Sequence, residues 1–220
     1  MISRFHYITQ DDTGFSHAEL AELACNGGAD WVQLRVKNKT HDEWLKIANE
    51  TKIVCKRYHA KLIINDNVII AKEISADGVH LGKEDMNPKE ARNILGNDFI
   101  IGGSTNSIED VQKRIEEGCD YIGIGPYRFT STKEKLNPLL GLEGIRKIAA
   151  QFGPQIPMIA IGGIKPEDAK LLLDAGVYGV AVSSAINLAT DKTETAKVFL
   201  AAISKTIICT NTSNPNILTI

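Results

Sequence analysis

Short apolar runs alternate with longer amphipathic stretches from one end of the chain to the other. The apolar runs cover residues 5–9, 31–34, 62–65, 78–81, 99–102, 121–125, 158–161 and 179–182. They are rich in Ile, Val, Leu and aromatic residues and carry few charges. Runs of this kind predict strands buried on both faces, as in a parallel sheet. Helical patterns fall between them. Ser16 is placed to cap residues 17–25. Thr40 precedes residues 41–58, where Trp44, Leu45, Ile47, Ala48, Thr51 and Val54 recur at helical spacing. Asn87-Pro88 opens a helix with proline in its first turn, and Lys165-Pro166-Glu167-Asp168 opens another. Ser107 can cap residues 108–117, with Glu109 and Asp110 favourable near the positive end of the helix dipole. Gly27-Gly28, Gly118 and Gly176 stand where helices should stop, each just before a new apolar run.

Eight such units in 220 residues allow roughly 27 residues per unit. That predicts an α/β chain folded as a single-domain (β/α)8 TIM barrel. A doubly wound dinucleotide-binding sheet would need Gly-x-Gly-x-x-Gly after its first strand, and here that strand leads into Thr9-Gln10-Asp11-Asp12. The barrel is expected to occupy residues 1–205 as one catalytic domain. Residues 206–220 mix Thr, Asn, Ser and Pro with scattered Ile and no period, and are expected to form a loosely ordered C-terminal tail.

Composition narrows the class. Hydrophobic residues make up 43% of the chain, enough to exclude whole-chain disorder. Lys and Arg number 25 against 27 Asp and Glu, so no broad basic face is available for nucleic acid. No apolar run approaches the length of a membrane helix, and residues 1–10 lack the apolar core of a secretory signal. Cys25, Cys55, Cys119 and Cys209 form no Cys-x-x-Cys pair. Reduced thiols acting as small buried hydrophobes, in a cytoplasmic protein, are therefore expected.

In such a barrel the active site lies at the C-terminal ends of the strands, so the residues ending each run matter most. The second run ends in Gln33-Leu34-Arg35-Val36-Lys37, where alternation aims Gln33, Arg35 and Lys37 to one side. An amide and two cations suit a multiply charged anion such as a diphosphate, although a solvated turn has the same composition. The third run ends in Asn65-Asp66, and the fourth leads through His80 and Gly82 to Asp85. Asp66 and Asp85 on adjacent strand ends could hold magnesium with water and phosphate oxygens, or could each cap a helix. The fifth run leads into Gly102-Gly103-Ser104-Thr105-Asn106, expected to be a glycine-rich turn offering hydroxyl donors. The sixth leads through Gly125-Pro126 and Tyr127-Arg128-Phe129 to Thr130-Ser131-Thr132-Lys133, which looks like an anion-binding loop. Gly162-Gly163 after the seventh run and Ser183-Ser184 after the eighth match the usual phosphate cradle of these barrels. Two anion sites are thus expected at one barrel mouth. His80 is expected to be a packed or hydrogen-bonded strand residue.

Taken in order and spacing, these segments resemble the thiamine phosphate synthase family from about residue 5 to residue 205. That resemblance implies a magnesium-dependent transferase acting on two small molecules. It would join 4-amino-2-methyl-5-hydroxymethylpyrimidine diphosphate to 4-methyl-5-(2-phosphoethyl)thiazole, giving thiamine phosphate and diphosphate by a dissociative, carbocation-like route. It further implies magnesium on Asp66 and Asp85. Gln33, Arg35, Lys37, Asn65, Ser104 and Lys133 would contact the pyrimidine diphosphate, with Arg35, Lys37, Lys133 and Ser104 as the catalytic set. Thr130, Ser131 and Thr132, with Gly163, Ser183 and Ser184, would hold the thiazole phosphate. Two positions depart from the family pattern: Val36 replaces the common Glu, and Phe129 the common Pro. By alternation Val36 should point away from Arg35 and Lys37.

A thiazole tautomerase-like isomerase is the nearest alternative. It would need a general acid–base, commonly a His in the loop region, and this chain has no His after His80. A non-catalytic thiazole-phosphate-binding barrel would be expected to have lost the carboxylates or the diphosphate cations, and all are present. Neither nucleic acid nor membrane is expected as a partner, and the sequence does not set an oligomeric state.

Overall fold

The computed structural model describes residues 1–129 and 138–212, with side chains described as far as residue 205. Eight strands, β1 (Phe5–Ile8), β2 (Trp31–Leu34), β3 (Lys61–Asn65), β4 (Gly78–Leu81), β5 (Ile100–Thr105), β6 (Tyr121–Ile124), β7 (Met158–Ile161) and β8 (Gly179–Val182), form a closed parallel barrel in chain order. The closing pair sets Phe5 opposite Val180 and His6 opposite Ala181. Around it run α1 (His17–Asn26), α2 (His41–Arg57), α3 (Val68–Glu73), α4 (Pro88–Leu95), α5 (Ile108–Glu116), α6 (Gly141–Phe152), α7 (Asp168–Asp174), α8 (Ser184–Asn187) and α9 (Lys192–Thr212). This is the (β/α)8 TIM barrel that the pattern predicts.

Local chemistry explains the boundaries. Ser16, Thr40 and Ser107 cap α1, α2 and α5, each accepting from the backbone N–H three residues on. Glu19, Glu43 and Asp110 return the bond to the cap backbone, so two orphan N–H groups are satisfied at each start. Gly28, Gly118 and Gly176 follow α1, α5 and α7 with positive φ, a conformation glycine adopts without strain. Three helices escape the periodicity reading. In α3, Val68-Ile69-Ile70-Ala71 reads as another apolar run, and α6 and α9 lack a strong opening signal. Helix α9 continues to Thr212, beyond residue 205. It packs against β1, where Phe199 stacks on Phe5 at 5.8 Å.

Strand β5 differs from expectation in a way that bears on the site. It does not turn at Gly102-Gly103 but continues to Thr105, so Ser104 is a strand residue. The glycines are there because no side chain fits. A Cβ on Gly102 would lie 2.5 Å from Tyr121 Cε1 and 2.6 Å from His80 Nδ1. One on Gly103 would lie 2.8 Å from Arg114 Cδ.

The core has two layers. The larger lies between strands and helices and includes Leu34, Val36, Ile64, Val79, Ile101, Ile122 and Phe199. The smaller fills the barrel interior with Ile8, Trp31, Ile63, Tyr121, Ile159 and Ala181. Val36 belongs to the outer layer, facing away from Arg35 as alternation predicts. Cys25 and Cys55 are buried free thiols, and burial pushes Cys25 and the half-buried Cys119 up to about 12.

Candidate active site

A cavity of about 350 Å³ opens at the C-terminal ends of the strands. Of the residues singled out in the sequence, Gln33, Arg35, Asn65, Asp66, Asp85, Ser104, Gly163, Ser183 and Ser184 line it. Lys37, three residues beyond the end of β2, is not among the lining residues. Thr130, Ser131, Thr132 and Lys133 lie outside the described residues.

The floor is a polar chain among aromatic rings. The Gln33 side chain hydrogen-bonds to Tyr121. His80 Nδ1 lies 3.0 Å from Tyr121 Oη, and His80 Nε2 lies 3.0 Å from Ser104 Oγ. His80 is therefore held on both ring nitrogens, as expected of a hydrogen-bonded strand residue. Below it His6 stacks on Trp31 at 4.2 Å and meets Tyr121 edge-on at 5.1 Å. Burial drives His6 down to about 3, with the nearby His80 adding a smaller push in the same direction.

This predicts an acid-sensitive fold. Folded His6 stays neutral, whereas the unfolded chain takes up its proton below about pH 6.5. Stability is thus complete above that pH and falls as pH drops toward 3. At pH 5 the loss from this one group is about 2 kcal/mol. His6→Gln, which cannot titrate, is expected to show a smaller fall in Tm between pH 8 and pH 5 than the wild type. Equal falls would mean that His6 does not contribute.

The carboxylate side is built by two loops. Asp66 follows β3 with φ of +64°, and its backbone N–H donates to His80 O at 2.8 Å. Asp85 Oδ2 accepts the Gly82 N–H at 2.6 Å. A Cβ on Gly82 would lie 2.7 Å from Asp85 Oδ2 and 4.0 Å from Asp66 Oδ1, so both carboxylates converge beside this glycine. Neither caps a helix. Asn67 caps α3 by accepting from Ile70 N, and Asn87 caps α4 by accepting from Lys89 N.

The backbone around Arg35 and Lys37 is fixed from β1. Thr9 Oγ1 accepts the Arg35 N–H at 3.1 Å, and Asp11 Oδ2 accepts the Lys37 N–H at 3.2 Å. The buried His17 ring bridges them, with Nδ1 2.8 Å from Thr9 Oγ1 and Nε2 3.1 Å from Asp11 Oδ1.

Across the barrel, the loops after β7 and β8 line the facing side of the cavity. Gly162 and Gly163 both have positive φ. A Cβ on Gly163 would lie 2.9 Å from Phe129 O, so the loop after β6 presses directly on this turn. Tyr127 N donates to Ile161 O and Arg128 N to Gly162 O, extending the strand pairing. The Arg128 guanidinium grips Asp168 with both terminal nitrogens, and Asp168 also accepts the Lys165 N–H. Phe129 is exposed at 70%, so the departure at this position alters surface while Arg128 supplies the anchor. Asn187 Nδ2 donates to Ser183 Oγ and to Ile8 O, tying the β8 end to β1.

A family model described as thiamine monophosphate synthase matches residues 5–186. The chain belongs to the thiamine monophosphate synthase family. It is 47% identical over 197 residues to thiamine-phosphate synthase of Bacteroides fragilis, covering 88% of this chain and 97% of that one. It is 44% identical over 195 residues to thiamine-phosphate synthase of Flavobacterium johnsoniae, covering 87% and 92%. Among solved structures, thiamine phosphate pyrophosphorylase from Pyrococcus furiosus superposes with a TM-score of 0.84 at 32% identity, covering 93% and 96%.

For a member of this family, the parts of the cavity that sequence reasoning missed are its floor and its outer bracing. Tyr121 and His6 read simply as members of apolar runs. The available signal was glycine on the inward faces of neighbouring strands, Gly102 and Gly123, whose missing side chains make room for Tyr121 and His80. Thr9 and Asp11 carried no such signal, because their contacts to the Arg35 and Lys37 backbone join residues 26 apart in the chain, and His17 acts only through them.

Proposed function

We propose that the chain condenses 4-amino-2-methyl-5-hydroxymethylpyrimidine diphosphate with 4-methyl-5-(2-phosphoethyl)thiazole, giving thiamine phosphate and diphosphate, with magnesium as resident metal. The observation that supports this most strongly is the layout of one cavity. Asp66 and Asp85 converge on one side, and Gly163, Ser183 and Ser184 line the facing side, four strands away around the barrel.

The donor set suits magnesium, which takes oxygen ligands and keeps water and substrate phosphate in its shell. Among the described residues no group of three or more His, Cys, Asp or Glu gathers, as a dedicated protein cage would require. Bound magnesium would neutralise charge on the departing diphosphate. Arg35, Lys37 and Lys133 would add cationic donors to the same oxygens. Gln33, Asn65 and Ser104 would orient the pyrimidine diphosphate. Thr130, Ser131 and Thr132, with Gly163, Ser183 and Ser184, would hold the thiazole phosphate.

In the proposed sequence, the bond from the pyrimidine methylene carbon to the diphosphate oxygen breaks first, and its electron pair leaves with the diphosphate. The aminopyrimidine stabilises the resulting cation. The thiazole nitrogen lone pair then forms the new carbon–nitrogen bond. No side-chain nucleophile takes part, so the work of the protein is charge stabilisation and alignment. The buried free thiols support a cytoplasmic location.

The test is direct. Purified protein is mixed with both substrates, with and without magnesium, and thiamine phosphate is quantified. Product that depends on magnesium is expected. A folded protein giving no product would overturn the reading.

A further inference from the structure

The loop carrying Asp85, residues 82–87, is fastened to helix α5 at three points. Arg114 Nη2 donates to Gly82 O at 2.7 Å, while Arg114 Nη1 donates to Glu117 Oε2 at 2.8 Å. Lys83 pairs with Asp110 near the start of the helix. Asn87 Nδ2 donates to Glu117 Oε1 at 2.7 Å. The Arg114 side chain crosses β5 at Gly103, where any Cβ would collide with it.

Arg114 and Glu117 are only 5% and 6% exposed. Burying an ion pair carries a heavy desolvation cost, and the mutual attraction often only offsets it. Well-packed apolar side chains would hold α5 to β5 at least as well. What they could not do is grip a backbone carbonyl. Gly82 is held through both of its backbone groups: Arg114 takes the carbonyl, and Asp85 Oδ2 takes the N–H. The same glycine is where Asp66 Oδ1 approaches.

We propose that Arg114, itself held by Glu117, is a positioning residue for Asp85, fixing that carboxylate through Gly82 beside Asp66 in the geometry that receives the metal. This rests on the reading of Asp66 and Asp85 as magnesium ligands. Outer partners of this kind typically contribute 10–100-fold in metal affinity.

The experiment titrates the full chain with Mn²⁺ in the presence of inorganic diphosphate, following free Mn²⁺ by electron paramagnetic resonance. Wild type, the double variant Arg114→Met/Glu117→Gln, Arg114→Lys and Asp85→Asn are compared, and thermal unfolding is recorded for each. The double variant removes both buried charges and leaves an acceptor for Asn87. It is expected to stay folded, to bind Mn²⁺ roughly 10–100-fold more weakly, and to need correspondingly more magnesium for half-maximal turnover. Arg114→Lys keeps the charge beside Glu117 but cannot reach both partners, so it should weaken Mn²⁺ binding less. It gives the decisive comparison if the double variant does not fold. Folded Arg114 variants with unchanged Mn²⁺ affinity, alongside a weakened Asp85→Asn, would overturn the proposal and leave the metal reading standing. An Asp85→Asn that binds Mn²⁺ as the wild type does would remove the metal reading, and this inference with it.

Discussion

Asp66→Asn is expected to lower turnover on the order of 10²–10³-fold without unfolding the protein. Asp66 sits at φ of +64°, in the left-handed region. Asn tolerates that region about as readily as Asp, whereas Ala would add strain there of roughly 1 kcal/mol. Asn is therefore the variant that separates charge from backbone. It keeps shape and hydrogen-bonding capacity but removes one of two negative charges converging beside Gly82. The loss should appear in kcat at saturating concentrations of both substrates, while Tm stays within a few degrees of wild type. Near-normal turnover in a folded Asp66→Asn protein would sink the assignment of this residue to the metal.

A large effect on stability is expected from Gly102→Ala. The added methyl would meet the ring of the fully buried Tyr121 and the ring of His80, both fixed in place. Neither is the free end of a flexible side chain, so the strand itself must shift. Overpacking of this kind costs about 3 kcal/mol. For a chain of this size that is a fall in Tm of roughly 6–12 °C. Turnover should fall as well, because Ser104 contacts His80 from the same strand. Calorimetry decides it: an unchanged Tm would mean that the interior has slack not evident in the packing.

The barrel was legible because its strands are buried on both faces and therefore stand out as apolar runs. The starts of α1, α2 and α5 were legible because capping residues announce them. Strand β5 was misread at its end, since glycine marks both turns and tight packing and the sequence alone does not separate the two. The same ambiguity hid the cavity floor, where Gly102 and Gly123 stand opposite large rings. Asp66 was visible as a charge placed straight after an apolar strand, and Asp85 as a second carboxylate in the segment following the next strand. Whether they capped helices was open until Asn67 and Asn87 proved to hold those places. Lys37 stands three residues past the end of β2 and outside the cavity lining, where the run pattern alone does not fix its direction.

Under the proposed reading, the order of strands around the barrel would also divide the labour between the two substrates. Gln33, Arg35, Asn65, Asp66 and Asp85 all come from the first half of the chain, and Gly163, Ser183 and Ser184 from the second. Each group of lining residues would then face one reactant, and the closure of β8 onto β1 brings the two groups around one mouth. Drift in one half can retune the recognition of one partner while the other stays as it was. A barrel of this kind can change its acceptor without relearning how to release diphosphate.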